Sequence, residues 1–321
     1  MNHNLVIAVE IGGTKLQAAL GSSDGAIIER RRGMVARDQG AAGILDWCAA
    51  QAAELLANGH GETQAAAIGI GFGGPVETAT GRALVSHQVR GWENLPIKRW
   101  FEERFNLPVI VANDANAAGW AEYCLGAGRG TRNFVYMNIG SGIGGALVIN
   151  GHLYDGQGRG ACEIGHSWVP DWTANTPGAA DKLEHLCSGW AIERRLRAMT
   201  HIEADTPLHV VCGGKAERLN CALLAEAARR GDAVATAEIE RVAEAVGVAL
   251  GNVIALFHPE RIALGGGVSL MGDVLFTPLR AALNKRMFAP YASTVELVPC
   301  ALEEDVVVAG ALLLAGALVA G

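Results

Sequence analysis

The chain has 321 residues, half of them hydrophobic but only 6% aromatic, and carries a formal net charge of −7. That length suits two domains with Ala/Val/Leu-rich cores of the α/β type. Its acidic balance and scattered basic residues exclude an extended nucleic-acid surface, because phosphate backbones are met by clustered Lys and Arg.

The first apolar segment is preceded by no Lys or Arg and ends at Glu10, so no secretory signal is visible and a cytoplasmic location is expected. Residues 5–9 read as a strand, Ile11-Gly12-Gly13-Thr14-Lys15 as a glycine loop, and residues 16–20 as a second strand that turns at Asp24-Gly25. The basic run Arg30-Arg31-Arg32 falls at a strand end and is expected to be solvated. A helix follows around residues 41–57, then a strand at 66–71 running into Phe72-Gly73-Gly74-Pro75-Val76. Residues 95–105 are helix-like and 109–111 form a short strand. Asn113-Asp114-Ala115-Asn116 opens another helix that continues past Glu122, with Asn113 or Asp114 as its cap.

The opening unit then recurs. Residues 134–138 are strand-like, Ile139-Gly140-Ser141-Gly142-Ile143-Gly144-Gly145 is a second glycine loop, residues 146–149 form a strand, and Asn150-Gly151 is a turn. A Gly-rich loop at 155–165 leads into a mainly helical stretch at 181–257. The strand 261–264 stops at Gly265-Gly266-Gly267 before a helix beginning near Asp273, a stop that lets a flat ligand approach closely. Residues 306–321 are uncharged but short of the roughly 20 residues that cross a bilayer, so they are expected to form a buried core helix and no membrane partner is expected.

A dinucleotide fingerprint or a P-loop needs a helix directly after its glycines, whereas both loops here open a β-hairpin and the GxxxxGK[ST] spacing is absent. Backbone amides in such loops can approach phosphate oxygens, and Thr14, Lys15 and Ser141 add hydroxyl and ammonium donors. The pair reads as a duplicated clamp for nucleotide phosphates. Seven cysteines, at 48, 124, 162, 187, 212, 221 and 300, form no C-x-x-C pair, and no structural zinc is expected.

In this order the motifs resemble the ROK family, which gathers bacterial sugar kinases and sugar-responsive repressors of the actin-like, hexokinase-type ATPase superfamily. The likeness rests on Glu10-Ile11-Gly12-Gly13-Thr14, Gly71 to Val76, Gly91-Trp92, Asn113-Asp114-Ala115-Asn116 with Glu122, Gly140 to Gly145, Glu163-Ile164-Gly165-His166 and Gly265 to Gly267, and it covers nearly the whole chain. It implies a two-lobed actin-like, ribonuclease H-like α/β ATPase fold, with residues 1–116 plus 306–321 in a smaller lobe and 117–305 in a larger one. It also implies ATP-dependent phosphorylation of a hexose on its primary hydroxyl, with glucose or a close relative as substrate. Fructose, mannose or an N-acetylhexosamine are alternatives, as are polyphosphate as donor and a non-catalytic sugar sensor. The family's repressors carry an N-terminal helix-turn-helix, and with a strand beginning at residue 5 no such module is expected in these residues. A homodimer through the helical lobe is a further implication.

By the same resemblance Asp114 is the general base, while Gly74, Asn113, Asp114, Glu163, His166 and Glu184 bind the sugar. Gly12, Gly13, Thr14, Lys15, Gly140, Ser141, Gly142, Gly265, Gly266 and Gly267 bind ATP, and Glu10 holds magnesium, directly or through water. Three positions depart from the pattern. Glu10 stands where the family has aspartate, and Gln88 where it has asparagine. The cysteine-rich zinc loop is missing, since residues 167–182 contain no cysteine. In zinc-bearing members the histidine matching His166 ligates the metal, so another partner must orient it here, and Trp168-Val169-Pro170-Asp171-Trp172 is expected to pack in the metal's place.

Overall fold

Strand β1 (Leu5–Ile11) is buried at every position after its first, a pattern that requires cover on both faces of a sheet. In the computed structural model, which describes residues 4–57, 65–85 and 89–319, that cover is provided by helices. After β1 come β2 (Lys15–Ser22), β3 (Ile27–Met34), α1 (Gly40–Ala57), β4 (Ile68–Phe72), the short pair β5 (Val76–Glu77) and β6 (Arg82–Ala83), α2 (Ile97–Phe105), β7 (Val109–Asn113) and α3 (Asp114–Leu125). The first sheet has the order β3-β2-β1-β4-β7, antiparallel through the β1–β3 meander and parallel from β1 to β7.

Alternation along β1 sorts its side chains. Ile7, Val9 and Ile11 join Ile44, Leu45, Cys48 and Phe101 from α1 and α2 in one core cluster. Val6 and Ala8 face the other way, onto Val308, Ala311, Leu312 and Ala315 of α10 (Val306–Ala317). The uncharged C-terminal run is therefore a core helix, as its length and composition required. It lies so close to α3 that a Cβ on Gly310 would strike the Ala117 carbonyl oxygen, a contact only glycine permits.

The second set begins with β8 (Phe134–Ile139), β9 (Ile143–Ile149) and β10 (His152–Tyr154). It continues through β11 (Trp168–Pro170), β12 (Ala180–Lys182), α4 (Leu183–Cys187), α5 (Gly189–Arg197), α6 (Pro207–Cys212), α7 (Cys221–Arg229), α8 (Ala233–Phe257), β13 (Arg261–Gly265), α9 (Asp273–Asn284) and β14 (Glu296–Pro299). Its sheet, β10-β9-β8-β13-β14, repeats the plan of the first: a hairpin strand pair flanks a strand that continues into two parallel neighbours. The Asn150-Gly151 turn has both residues at positive φ, 52° and 82°, as a two-residue hairpin demands. In the first hairpin only Gly25 is left-handed, and Ser22 N bonds Ala26 O across a three-residue loop.

The chain separates into two compact units. Unit one comprises Met1–Gly130, Ala146–Ala161 and Ala301–Gly321, and unit two Thr131–Gly145 and Cys162–Cys300. This differs from a division at 116/117 and 305/306. α3 packs along α10, and buried Glu122 accepts bonds from Ala127 N, Ala301 N and Leu302 N, so these segments stay with unit one. The stretch from Asp181 is mainly helical, through α4 to α8, after two opening residues that belong to β12, paired with β11. No helix among the described residues is long and apolar enough to cross a membrane.

Candidate active site

Three parallel strands of unit one end side by side. Ile11 of β1 is in register with Phe72 of β4, and Phe72 with Asn113 of β7. The next residues are therefore Gly12, Gly73 and Asp114, at the carboxyl edge where open α/β sheets bind ligands. Gly73 N donates to Ile11 O at 2.8 Å, and Gly12 N to Lys15 O at 3.1 Å, which closes the first glycine loop around Gly13 and exposed Thr14. A Cβ on Gly73 would sit 3.3 Å from Asp114 Oδ2 and 3.5 Å from Gly12 Cα, so the three groups adjoin.

Asn113, not Asp114, caps α3. Its Oδ1 accepts from Ala115 N at 2.9 Å and from Asn116 N at 3.2 Å, while its Nδ2 donates to Gly74 O at 3.1 Å. Asp114 is the first helical residue, and its Oδ1 accepts from Ala115 N at 2.8 Å. A carboxylate at a helix start is favoured by the macrodipole. The structure thus joins Gly74, Asn113 and Asp114, three residues the sequence assigned to the sugar.

Glu10 is only 4% exposed. Gln17 Nε2 donates to its Oε2 at 2.6 Å, and Lys15 Nζ lies 3.5 Å from its Oε1. Burial pushes the Glu10 carboxyl above its ordinary range, against the pull of Lys15 and the Gln17 hydrogen bond. Lys15 also donates to Glu304 O at 3.1 Å, so its ammonium is engaged by groups of its own unit. Gln17 and Glu304 escaped sequence reasoning because their role exists only through contacts across the sheet and with the segment before α10.

In unit two, Gly140 N donates to Gly142 O at 2.9 Å and Gly189 N to Gly140 O at 2.7 Å, which shapes the second glycine loop beside exposed Ser141. Glu184, in the first turn of α4, accepts from Ile143 N at 2.7 Å, so this expected sugar ligand also braces the loop. The third glycine segment is adjacent, since Asn138 of β8 is in register with Gly265 of β13 and Val268 N donates to Ile139 O at 2.9 Å. Gly266 has φ 84°, and a Cβ there would lie 2.5 Å from Ile139 O, whereas Gly267 borders open space.

Glu163 and His166 are exposed and flank the short turn Ile164–His166. The turn starts from Cys162 at φ 63°, an uncommon conformation outside glycine that aims the following residue. Burial, and secondarily the Glu163 charge, pushes the Cys162 thiol up to about 12, so it is no thiolate at neutral pH. His166 Nδ1 meets Lys182 Nζ at 3.1 Å. Trp168 is 64% exposed and Val169 is buried, and it is Lys182 that reaches the imidazole. Among the described residues no three His, Cys, Asp or Glu side chains converge as a metal site, and the donor set around His166 does not fit zinc. Gln88 lies outside the described residues.

Two sheets built on one plan, each with a glycine loop after its first strand, define an actin-like ATPase fold. A sequence model of the ROK family matches residues 6–317, and the chain belongs to that family. It is 32% identical over 307 residues to a glucokinase of Thermotoga maritima, covering 95% of each chain. It is 33% identical over 284 residues to a glucokinase of Streptomyces coelicolor, covering 88% of this chain and 87% of that one. Its structure is similar to that of a ROK family glucokinase from Streptomyces griseus in complex with glucose and AMPPNP, with a TM-score of 0.80, 30% identity, and coverage of 97% and 99% of the two chains.

Proposed function

We propose that this protein is an ATP-dependent hexose kinase acting on the primary hydroxyl of glucose or a close relative. The observation that carries the reading is Asp114: Asn113 takes over the helix cap, and the Asp114 carboxylate stands against Gly12 and Gly73 at the edge of β1, β4 and β7. The glucokinases among its relatives and the glucose- and AMPPNP-bound structure support the substrate and donor.

In this reaction Asp114 removes the hydroxyl proton as the sugar oxygen bonds to the γ-phosphorus and the bond to the ADP oxygen breaks. A positioned general base contributes typically ~10²–10⁴ in rate. Amides of Gly13 and Gly142, with the Thr14, Lys15 and Ser141 side chains, hold phosphate oxygens, while Gly12 and Gly140, whose N–H groups close the loops on Lys15 O and Gly142 O, let phosphate approach the backbone. Gly265, Gly266 and Gly267 admit adenine and ribose. Gly74, Asn113, Glu163, His166 and Glu184 bind sugar hydroxyls, and donors and acceptors matched to one stereochemistry are left unpaired by another.

Glu10 fits a hard divalent cation: it is a buried carboxylate whose charge burial disfavours, and a cation would offset that. Magnesium, held by Glu10 directly or through water, would neutralise charge on the phosphates when bound. A coupled assay over glucose, mannose, fructose and N-acetylhexosamines, run with ATP and with polyphosphate, tests the proposal. Phosphorylation of glucose by ATP is the expected result. Sugar binding without phosphorylation from either donor would replace the enzyme with a sensor.

A further inference from the structure

We infer that Lys182 is a positioning residue that holds His166 as its Nε2–H tautomer, and so makes the imidazole a hydrogen-bond donor to a sugar hydroxyl. The inference rests on the hexose-kinase reading for the identity of the ligand, but its first half stands on the geometry alone. Lys182 Nζ lies 3.1 Å from His166 Nδ1. An ammonium has three protons and no lone pair, so this contact is a hydrogen bond only when Nδ1 carries the lone pair. In a neutral ring the proton is then on Nε2.

Both ends of the contact are tied to backbone. Trp168 and Lys182 face each other in the β11–β12 register, and Leu183 N donates to Ser167 O at 2.8 Å, which brings Lys182 alongside the residues just after His166. On the other side, His166 N donates to Glu163 O at 2.9 Å and Ser167 Oγ to Ile164 O at 2.7 Å, fixing the turn that carries the ring. The nearest carboxylate along the chain does not compete, because Asp181 Oδ1 pairs with His185 Nδ1 at 3.0 Å and accepts from Lys182 N at 2.7 Å.

The consequence is a matched pair of opposite character. Glu163, three residues earlier on the same turn, can only accept when ionised, and His166 with Nε2–H donates. A hydroxyl that donates a hydrogen bond to the carboxylate and accepts one from the imidazole N–H has both roles filled. A ring that flipped to the Nδ1–H tautomer would present a lone pair instead. Lys182 also precedes Glu184, which holds Ile143 N of the second glycine loop, so one short segment serves the imidazole and the loop together. Where the family resemblance implies a metal on the matching histidine, this chain sets an ammonium against Nδ1.

The test uses full-length protein labelled with ¹⁵N-histidine, with the His166 signals assigned by their loss in His166→Gln. The ligand-free protein should show a pyridine-like Nδ1 and a pyrrole-like Nε2. Lys182→Met should mix the tautomers and weaken sugar binding, read by titration, by roughly 10-fold, in keeping with one lost hydrogen bond, while ATP affinity holds. Lys182→Arg should restore both readouts. An unchanged tautomer in Lys182→Met, or a changed tautomer with unchanged sugar affinity, overturns the inference. So does equal weakening of sugar and ATP with a lower melting temperature, which would mark a merely structural lysine. If no hexose is phosphorylated by the wild type, the kinase reading fails, while the spectrum of the ligand-free protein still decides whether Lys182 sets the ring.

Discussion

Asn113 and Gly74 are joined by a side-chain-to-backbone hydrogen bond of 3.1 Å, from Nδ2 to the carbonyl oxygen, while the other end of the same amide caps α3. One side chain thus fixes both the helix that carries Asp114 and the loop after β4. Asn113→Asp keeps the cap oxygen and loses the donor to Gly74, so it should weaken sugar binding with little change in melting temperature. Asn113→Ala loses both functions and should cost about 1 kcal/mol in stability as well. Paired melting curves and sugar titrations separate the two, and equal melting of both variants would show that the cap contributes little.

For Asp114→Asn the shape of the side chain is kept and the base is lost. Turnover should fall by about 10²-fold or more while sugar affinity remains close to wild type. Steady-state kinetics of the purified variant, with sugar binding measured separately, provide the check. Near-normal turnover would remove Asp114 from the role of base.

Glu184 and Glu163 should behave differently despite being assigned to the same substrate. Glu184 accepts from Ile143 N at 2.7 Å, so Glu184→Ala loosens the second glycine loop and should raise the KM for ATP as well as for sugar. Glu163→Gln keeps its size and should affect sugar alone, by about ten- to a hundredfold if a charge-assisted bond to a hydroxyl is weakened. An effect of Glu184→Ala confined to sugar would show that the loop keeps its shape without the brace.

Much of this was readable in the sequence because glycine is informative about backbone. The two glycine loops, the Asn150-Gly151 turn and the glycine stop after β13 each mark a place where the chain turns or something must approach it closely, and hydrophobic runs on either side supply the strands. Asn113 and Asp114 were legible as a helix start, but which of them caps α3 was not, since either oxygen can reach the same amides. The β11–β12 pair was missed because three-residue strands show no period. Lys182 was missed with it, as its partner His166 is sixteen residues away and meets it only through that pairing. The unit boundary depended on contacts of equally long range, such as Glu122 with Leu302.

Glu122 is fully buried and accepts from three backbone N–H groups, of Ala127, Ala301 and Leu302, at 2.8, 3.1 and 2.7 Å. Glu122→Gln leaves one acceptor oxygen where there were two, so at least one of these part-buried hydrogen bonds to a charged group is lost, at a cost of about 1 kcal/mol or more. Chemical denaturation should show the loss with an unchanged denaturant slope. Wild-type stability in the variant would mean that the amide group rearranges to serve all three donors.

Glu10 yields a pH dependence with a definite sign. Burial raises its carboxyl above the ordinary 4.5, and the Asp305 charge adds to this, while Lys15 and Gln17 pull the other way. The folded chain therefore holds the Glu10 proton more tightly than the unfolded chain does. The resulting stabilisation is complete below about 4.5 and is lost as the pH rises through the folded-state value. Glu10→Gln removes the titration and keeps the size, so the variant should gain on the wild type as pH increases and be the more stable of the two at neutral pH. Urea unfolding of both proteins across this range measures the difference directly. A variant less stable than wild type at neutral pH would show that the ion pair with Lys15 outweighs the cost of burying the carboxylate.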